Sequence, residues 1–290
     1  MSSHNDEKNK KLFNKFKMFP AVIGVIEIKL NDKNDYLTVF VDYDHQIVVY
    51  IEKGRDSETM ESFFNFAGKE YMSNVKVFIC SANESFIETI KKEYHHIKIA
   101  HGYLHILKVF GENTVFKVIG NNQRKLAKAG NEILAINLKD INRILKNYDY
   151  NRKYLNVDEQ IIYDDNESEF CDKFYASILK ENKFVEDIDK VFNLIQEAYE
   201  CADERRSAQI LDEIVEVCNK TENKYFITFG KLLNQHRDGI ITYVSNIKPF
   251  DDYLERLSNA IQIMRRNSRG YRDDEYFYMK IIWLSVEKCR

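Results

Sequence analysis

Val22-Ile23-Gly24-Val25-Ile26-Glu27-Ile28 is the stretch that decides the fold. It is apolar at odd and even positions alike, the pattern of a central strand buried on both faces. Two more strands follow. Tyr36-Leu37-Thr38-Val39-Phe40-Val41-Asp42 is rich in β-branched and aromatic residues. After a turn at Asp42-Tyr43-Asp44-His45, the chain returns as Ile47-Val48-Val49-Tyr50-Ile51. Pro20–Asp56 therefore reads as an antiparallel meander.

Downstream, Gly54-Arg55-Asp56 ends the meander. Asp56 or Ser57 caps a helix that carries Met60, Phe63, Phe64, Ala67 and Tyr71 on one face. Val75–Cys80 reads as a buried strand. Asn83 caps a second helix with Phe86, Ile87, Ile90 and Tyr94 on one side. Ile97–His101 is a short fifth strand and Leu104–Phe110 an apolar helical start. The order is βββ-α-β-α-β-α, three antiparallel strands and then parallel ones reached by helical crossovers. That is the ribonuclease-H-like α/β arrangement.

From about Asn121 the pattern is helical only. Stripes run through Leu138, Ile141, Ile144, Leu145 and Tyr148; Phe170, Phe174 and Ile178; Val185, Ile188, Val191, Phe192, Ile195 and Tyr199; and Ile210, Leu211, Ile214, Val215 and Cys218. Asn151–Glu169 is acidic and reads as a loop. Asp251–Asn267 and Arg272–Cys289 read as two closing helices. The last is apolar nearly all round (Tyr276, Phe277, Met279, Ile281, Ile282, Trp283, Val286), so burial is expected. The expected division is a polar lead at 1–19, a ribonuclease-H-like core at 20–120, a large all-helical insertion at 121–250, and C-terminal helices at 251–290 closing the core.

Composition excludes some classes. In 290 residues, 44% are hydrophobic and 31% charged, a soluble globular profile. No apolar run approaches a membrane span, so no membrane partner is expected. Met1–Lys17 is polar and Lys-rich, with no apolar core of a signal peptide, and a cytoplasmic location follows. A net charge of -3 gives no global basic field, so any nucleic-acid contact needs a local patch. The five cysteines (Cys80, Cys171, Cys201, Cys218, Cys289) are odd in number and form no CxxC pair, which reads as reduced thiols without a zinc ribbon.

Several strings, taken in order, resemble the catalytic part of DDE transposases of the ISL-three (ISL3) insertion-sequence group. Tyr36–Asp42 is similar to the family's Y-L-T-V-V-V-D strand. Gly54-Arg55-Asp56 is similar to its G-R-D turn, and His105-Ile106-Leu107-Lys108 to its H-V-V-K. Phe229-Gly230-Lys231-Leu232-Leu233 with His236, Asp238, Gly239, Ile240 and Tyr243 resembles F-x-K-x-L…H-x-D-G-I-x-x-Y. Glu255-Arg256-Leu257-Ser258-Asn259 resembles E-G-L-N-N, and Arg266 with Gly270-Tyr271 resembles R-x-x-x-G-Y. The resemblance runs from about Val22 to Trp283.

It also marks what has changed. The family's first catalytic aspartate lies in G-I-D-E; here Gly24-Val25-Ile26-Glu27 puts Ile26 there. The second follows the fourth strand; here Ser81 stands in its place. The aspartate of D-R-F-H reads Gly102. Glu255 alone matches a catalytic carboxylate. The family's cysteine-rich and helix-turn-helix DNA-binding part has no counterpart before Pro20, so a truncated form is expected. The family's strand transfer needs divalent metals clamped between carboxylates. Mg²⁺ requires hard oxygen ligands. Ile26 has no oxygen to offer and Ser81 only a neutral hydroxyl, so the resemblance implies a pseudo-enzyme with no intact catalytic set, no bound Mg²⁺ and no cofactor.

One rebuilt set, Glu27 with Asp42 and Glu255, would give a residual metal-dependent nuclease. His101 and His105, four apart, form a weaker metal pair, countered by the strand end at His101. Arg265, Arg266, Arg269 and Arg272 form the one basic cluster, suited to holding phosphates or to pairing with Asp273, Asp274 and Glu275. The leading expectation is an inactive, DNA-binding or DNA-associated regulatory protein. The alternative is a protein-interaction module that pairs with its own kind or with active relatives and inhibits or scaffolds them.

Overall fold

The computed structural model describes residues 19–30, 35–147, 183–247, 253–268 and 273–286. Five strands, β1 (Val22–Lys29), β2 (Tyr36–Asp42), β3 (Ile47–Lys53), β4 (Val77–Ile79) and β5 (Lys98–Ala100), form one sheet in the order β3-β2-β1-β4-β5. β1 pairs antiparallel with β2, and β2 with β3; β4 lies parallel to β1, and β5 parallel to β4. This is the ribonuclease-H-like mixed sheet, with β1 at its centre. The fourth and fifth strands are shorter than their apolar runs, because only Val77–Ile79 and Lys98–Ala100 find ladder partners.

Contacts divide the described chain into two compact units. One holds the described parts of Met1–Gly102, Asp238–Ile247 and Asp251–Arg290, and the other those of Tyr103–Arg237. This division differs from the sequence boundaries at 120 and 250.

In the sheet unit, β1 alternates between two apolar layers. Ile23 and Val25, with Phe40 and Tyr50, face α1 (Ser57–Asn74) and α2 (Glu84–Glu93). Phe40 stacks on Phe63 with ring centroids 4.2 Å apart, a contact worth about 1 kcal/mol beyond the area it buries. The caps are those expected: Asp56 accepts from the Thr59 amide and Asn83 from the Ser85 amide. The Thr59 amide bond holds the Asp56 carboxyl below its ordinary value. Gly68, at φ 78°, kinks α1, a break the apolar spacing does not announce.

The helical unit holds α3 (Tyr103–Phe110), a π-helical turn at Gly111–Val115, α4 (Phe116–Lys128), α5 (Glu132–Asn147), α6 (Lys183–Glu200), α7 (Glu204–Lys220) and α8 (Lys224–Gln235). The stripes from Val185 and from Ile210 are buried in α6 and α7, with Phe192 and Val215 at their half-buried margins. Gly230 lets α8 approach α7, since a β-carbon there would lie 3.2 Å from Cys218 Cβ. The stripe at Phe170, Phe174 and Ile178 and the acidic loop lie outside the described residues.

The second face of the sheet carries Ile26, Ile28, Leu37, Val39, Val41, Val48 and Ile51. Beyond α9 (Arg237–Asn246), it is covered by α10 (Tyr253–Asn267) and α11 (Asp274–Val286) through Leu257, Ile261, Phe277 and Ile281. Leu254 sits on Gly24, where a β-carbon would come 2.4 Å from Leu254 Cδ2, and Arg265 Nη1 donates to the Lys29 carbonyl at 2.9 Å. Between these two contacts helix rise and strand rise each carry the chain about 16 Å, so α10 runs along β1 in the same direction. α11 runs the other way along β3, from the Lys53–Asp274 pair at 2.5 Å to Ser285, whose hydroxyl accepts from the Val48 amide. It is not buried all round as expected: Tyr276, Met279 and Trp283 are 45%, 46% and 59% exposed. One side of a helix lying on a sheet must face away from it, and the apolar count alone does not say which residues do.

Candidate functional site

β1, β3 and β4 point the same way, so their C-terminal ends share one edge of the sheet. Glu27 lies there at the end of β1. Its carboxylate accepts the Ser81 hydroxyl hydrogen at one oxygen and meets Arg55 Nε at 3.2 Å at the other. Asn83, just past β4, donates to the Arg55 carbonyl at 3.0 Å. The Arg55 guanidinium covers the Tyr36 ring, 4.5 Å from its centre. Glu27, Ser81 and Arg55 thus form one closed polar cluster, built from three segments that sequence brings nowhere near one another. The only hint was Arg55 inside the Gly54-Arg55-Asp56 string.

Ile26 points to the opposite face. It is 6% exposed, inside the apolar layer beneath α10 and α11. Extending the β1–β4 register from Gly24 opposite Ile79 brings Ile26 opposite Ser81. Glu255 is half-buried in the first turn of α10, next to Leu254. Gly102 follows β5, where an added β-carbon would have only ordinary contact with Tyr243, at 3.5 Å.

Asp42 does not join this edge. It pairs with Ile23, at the start of β1, whereas Glu27 lies four residues on, about 13 Å along the strand. At that far end, buried Asp42 takes the His45 amide at 3.0 Å and the His45 ring Nδ1 at 2.8 Å. Burial raises its pKa against the opposing pull of His45. The set Glu27, Asp42 and Glu255 is therefore not assembled. Among the described residues, no group of three His, Cys, Asp or Glu side chains is arranged to hold a metal ion.

Of the histidine pair, His101 lies at the strand end expected for it. His101 is buried, its Nδ1 is 3.0 Å from the Cys80 carbonyl, and its amide donates to the Gly239 carbonyl. A β-carbon at Gly239 would lie 2.3 Å from His101 Cδ2, which gives that glycine a packing reason. Burial pushes the Cys80 and Cys218 thiols up to about 12, far from a nucleophile's range.

Of the arginine cluster, Arg265 and Arg266 close α10 at the same strand end as Lys29, Arg55 and Ser81. Arg266 and Lys29 are exposed. Arg269 and Arg272 lie outside the described residues. Of the acids that follow, Asp274 pairs with Lys53, and Asp273 caps α11 through the Glu275 and Tyr276 amides. Among the described residues, no helix is long and apolar enough to cross a membrane.

Comparison with known proteins agrees with this architecture. A family model described as a transposase, of the ISL3 group of DDE transposases, matches residues 23–281. The chain is also similar to the transposase for insertion sequence element IS1001 of Bordetella parapertussis, at 20% identity over 264 residues. That match covers 89% of this chain but 59% of the relative, so the chain spans about three fifths of that protein's length. With the family model matched over most of its length, the chain belongs to the ISL3 group of DDE transposases.

Proposed function

We propose that this chain is a catalytically inactive, cytoplasmic member of the transposase family that binds DNA by its phosphates, without metal. The observation that carries the reading is the enclosure of Ile26, 6% exposed, in the apolar layer under α10. The resemblance of Gly24-Val25-Ile26-Glu27 to the family's G-I-D-E string gives that position to the first catalytic aspartate. Ser81, at the second aspartate position, is committed to Glu27, and Glu27 to Arg55. Glu27, on the sheet face opposite Ile26, already has the Arg55 guanidinium as its counter-charge at the strand end. Lys29, Arg55, Arg265 and Arg266 gather positive charge at that strand end, and phosphate contacts of this kind hold a duplex without reading its sequence.

The test is binding of a labelled, sequence-neutral duplex over a salt series without metal, followed by incubation with Mg²⁺ or Mn²⁺. The expected result is binding that weakens steeply with salt, falls in Lys29→Glu with Arg266→Glu, and is accompanied by no nicking. No binding at low salt ends the DNA reading. Nicking that Glu255→Ala removes ends the inactive one. A second reading, association with another copy or with an active relative, is favoured by the exposed apolar face of α11.

A further inference from the structure

Tyr276, Met279 and Trp283 stand at i, i+3 and i+7 on the outward side of α11. The opposite side is fixed to the sheet by Phe277, Ile281 and the Ser285 bond, so the helix is a firm platform. The spacing is that of coiled-coil a and d positions: Tyr276 and Trp283 at a, Met279 at d. Glu275 then falls at g and Lys280 at e, five residues on. Glu275 is exposed. The Lys280 amine lies 5.6 Å from the Tyr276 ring centre and 5.4 Å from that of Trp283, drawn over the stripe it borders. In a parallel pair of helices, the g position of one chain meets the e position five residues later on the other. A second α11 in that orientation brings Glu275 of each copy to Lys280 of the other. An antiparallel pair would instead bring like charges together.

We propose that the outward face of α11 is a docking surface for α11 of a second copy of this chain, in parallel orientation, with aromatic contacts along the seam and reciprocal Glu275–Lys280 pairs beside it. The proposal rests on the association reading and names its surface. Trp, Tyr and Met are residue types that anchor protein contacts. The stripe is two helical turns long, about 10 Å from Tyr276 to Trp283. A contact of that size supports a reversible dimer rather than a permanent one.

Sedimentation of the full chain over about a hundredfold concentration range tests it. Wild type is expected to pass reversibly from monomer to dimer, and Trp283→Ala to weaken this at least about tenfold. Glu275→Lys and Lys280→Glu are each expected to be monomeric alone, because each sets like charges together. Their equimolar mixture is expected to pair, since both cross-chain contacts are then of opposite sign. Glu275 and Trp283 are exposed and Lys280 is half-exposed, so folding is not at stake. A wild type that stays monomeric overturns the association reading and this proposal with it. A wild-type dimer indifferent to Trp283→Ala, or a mixture that stays monomeric, leaves association standing and overturns the α11 surface. A monomer that holds single-stranded DNA through Trp283 assigns the stripe to base stacking and also overturns it.

Discussion

Ser81 donates its hydroxyl hydrogen to the carboxylate of Glu27, across the ends of two neighbouring parallel strands. The same carboxylate holds Arg55. These three polar groups therefore satisfy one another. A cation entering there would have to displace a guanidinium already in contact with the carboxylate.

Arg55→Ala is expected to cost about 1 kcal/mol, because it leaves Glu27 facing Ser81 alone. In a Glu27→Gln background the same change is expected to cost markedly less. Urea unfolding of the four proteins gives the coupling directly. Additive effects would mean that the pair contributes nothing to stability.

Ile26→Asp is expected to destabilise by about 3 kcal/mol or more, since a carboxylate there faces Leu257, Ile261 and the rest of an apolar layer. Ile26→Val should cost only about 1 kcal/mol. If the aspartate is tolerated as well as the valine, the position is wetter than its packing indicates.

Gly239→Ala is expected to cost about 2 kcal/mol. The added carbon would meet a buried imidazole, which is itself bonded to the Cys80 carbonyl and cannot swing away freely. Thermal unfolding of the variant checks this, with Gly120→Ala as the control, because nothing lies within 4 Å of a β-carbon there.

Alkaline pH should weaken the fold. The Cys80 and Cys218 thiols are pushed up to about 12 from 9.0 by burial, and Tyr71 and Tyr278 move in the same direction from 10.0. Groups whose pKa is raised on folding stabilise fully below their unfolded values and lose that contribution as pH climbs through the folded ones. Stability should therefore show no cost from these groups up to about pH 9 and decline above it, in urea unfolding from about pH 7 to pH 11. Thiol reagents should reach half-exposed Cys201 before Cys80 or Cys218. Early reaction of Cys80 would contradict its burial.

What sequence alone settles here is local. The β-branched and aromatic content of Tyr36–Asp42 marks it as a strand, and Asp56 and Asn83 cap their helices with their own side chains. Hence the order of elements and the positions of Ile26, Ser81 and Glu255 along them were legible. Only the tertiary structure decided which groups meet. Sheet order sends Asp42 to the end of the sheet away from Glu27, and brings Arg55 and Ser81 to Glu27 from two other segments. It also decided that Tyr276, Met279 and Trp283 look outward, because α11 has only one side to lay on β3. Such contacts join residues far apart in the chain, and a period of 2 or 3.6 carries no record of them.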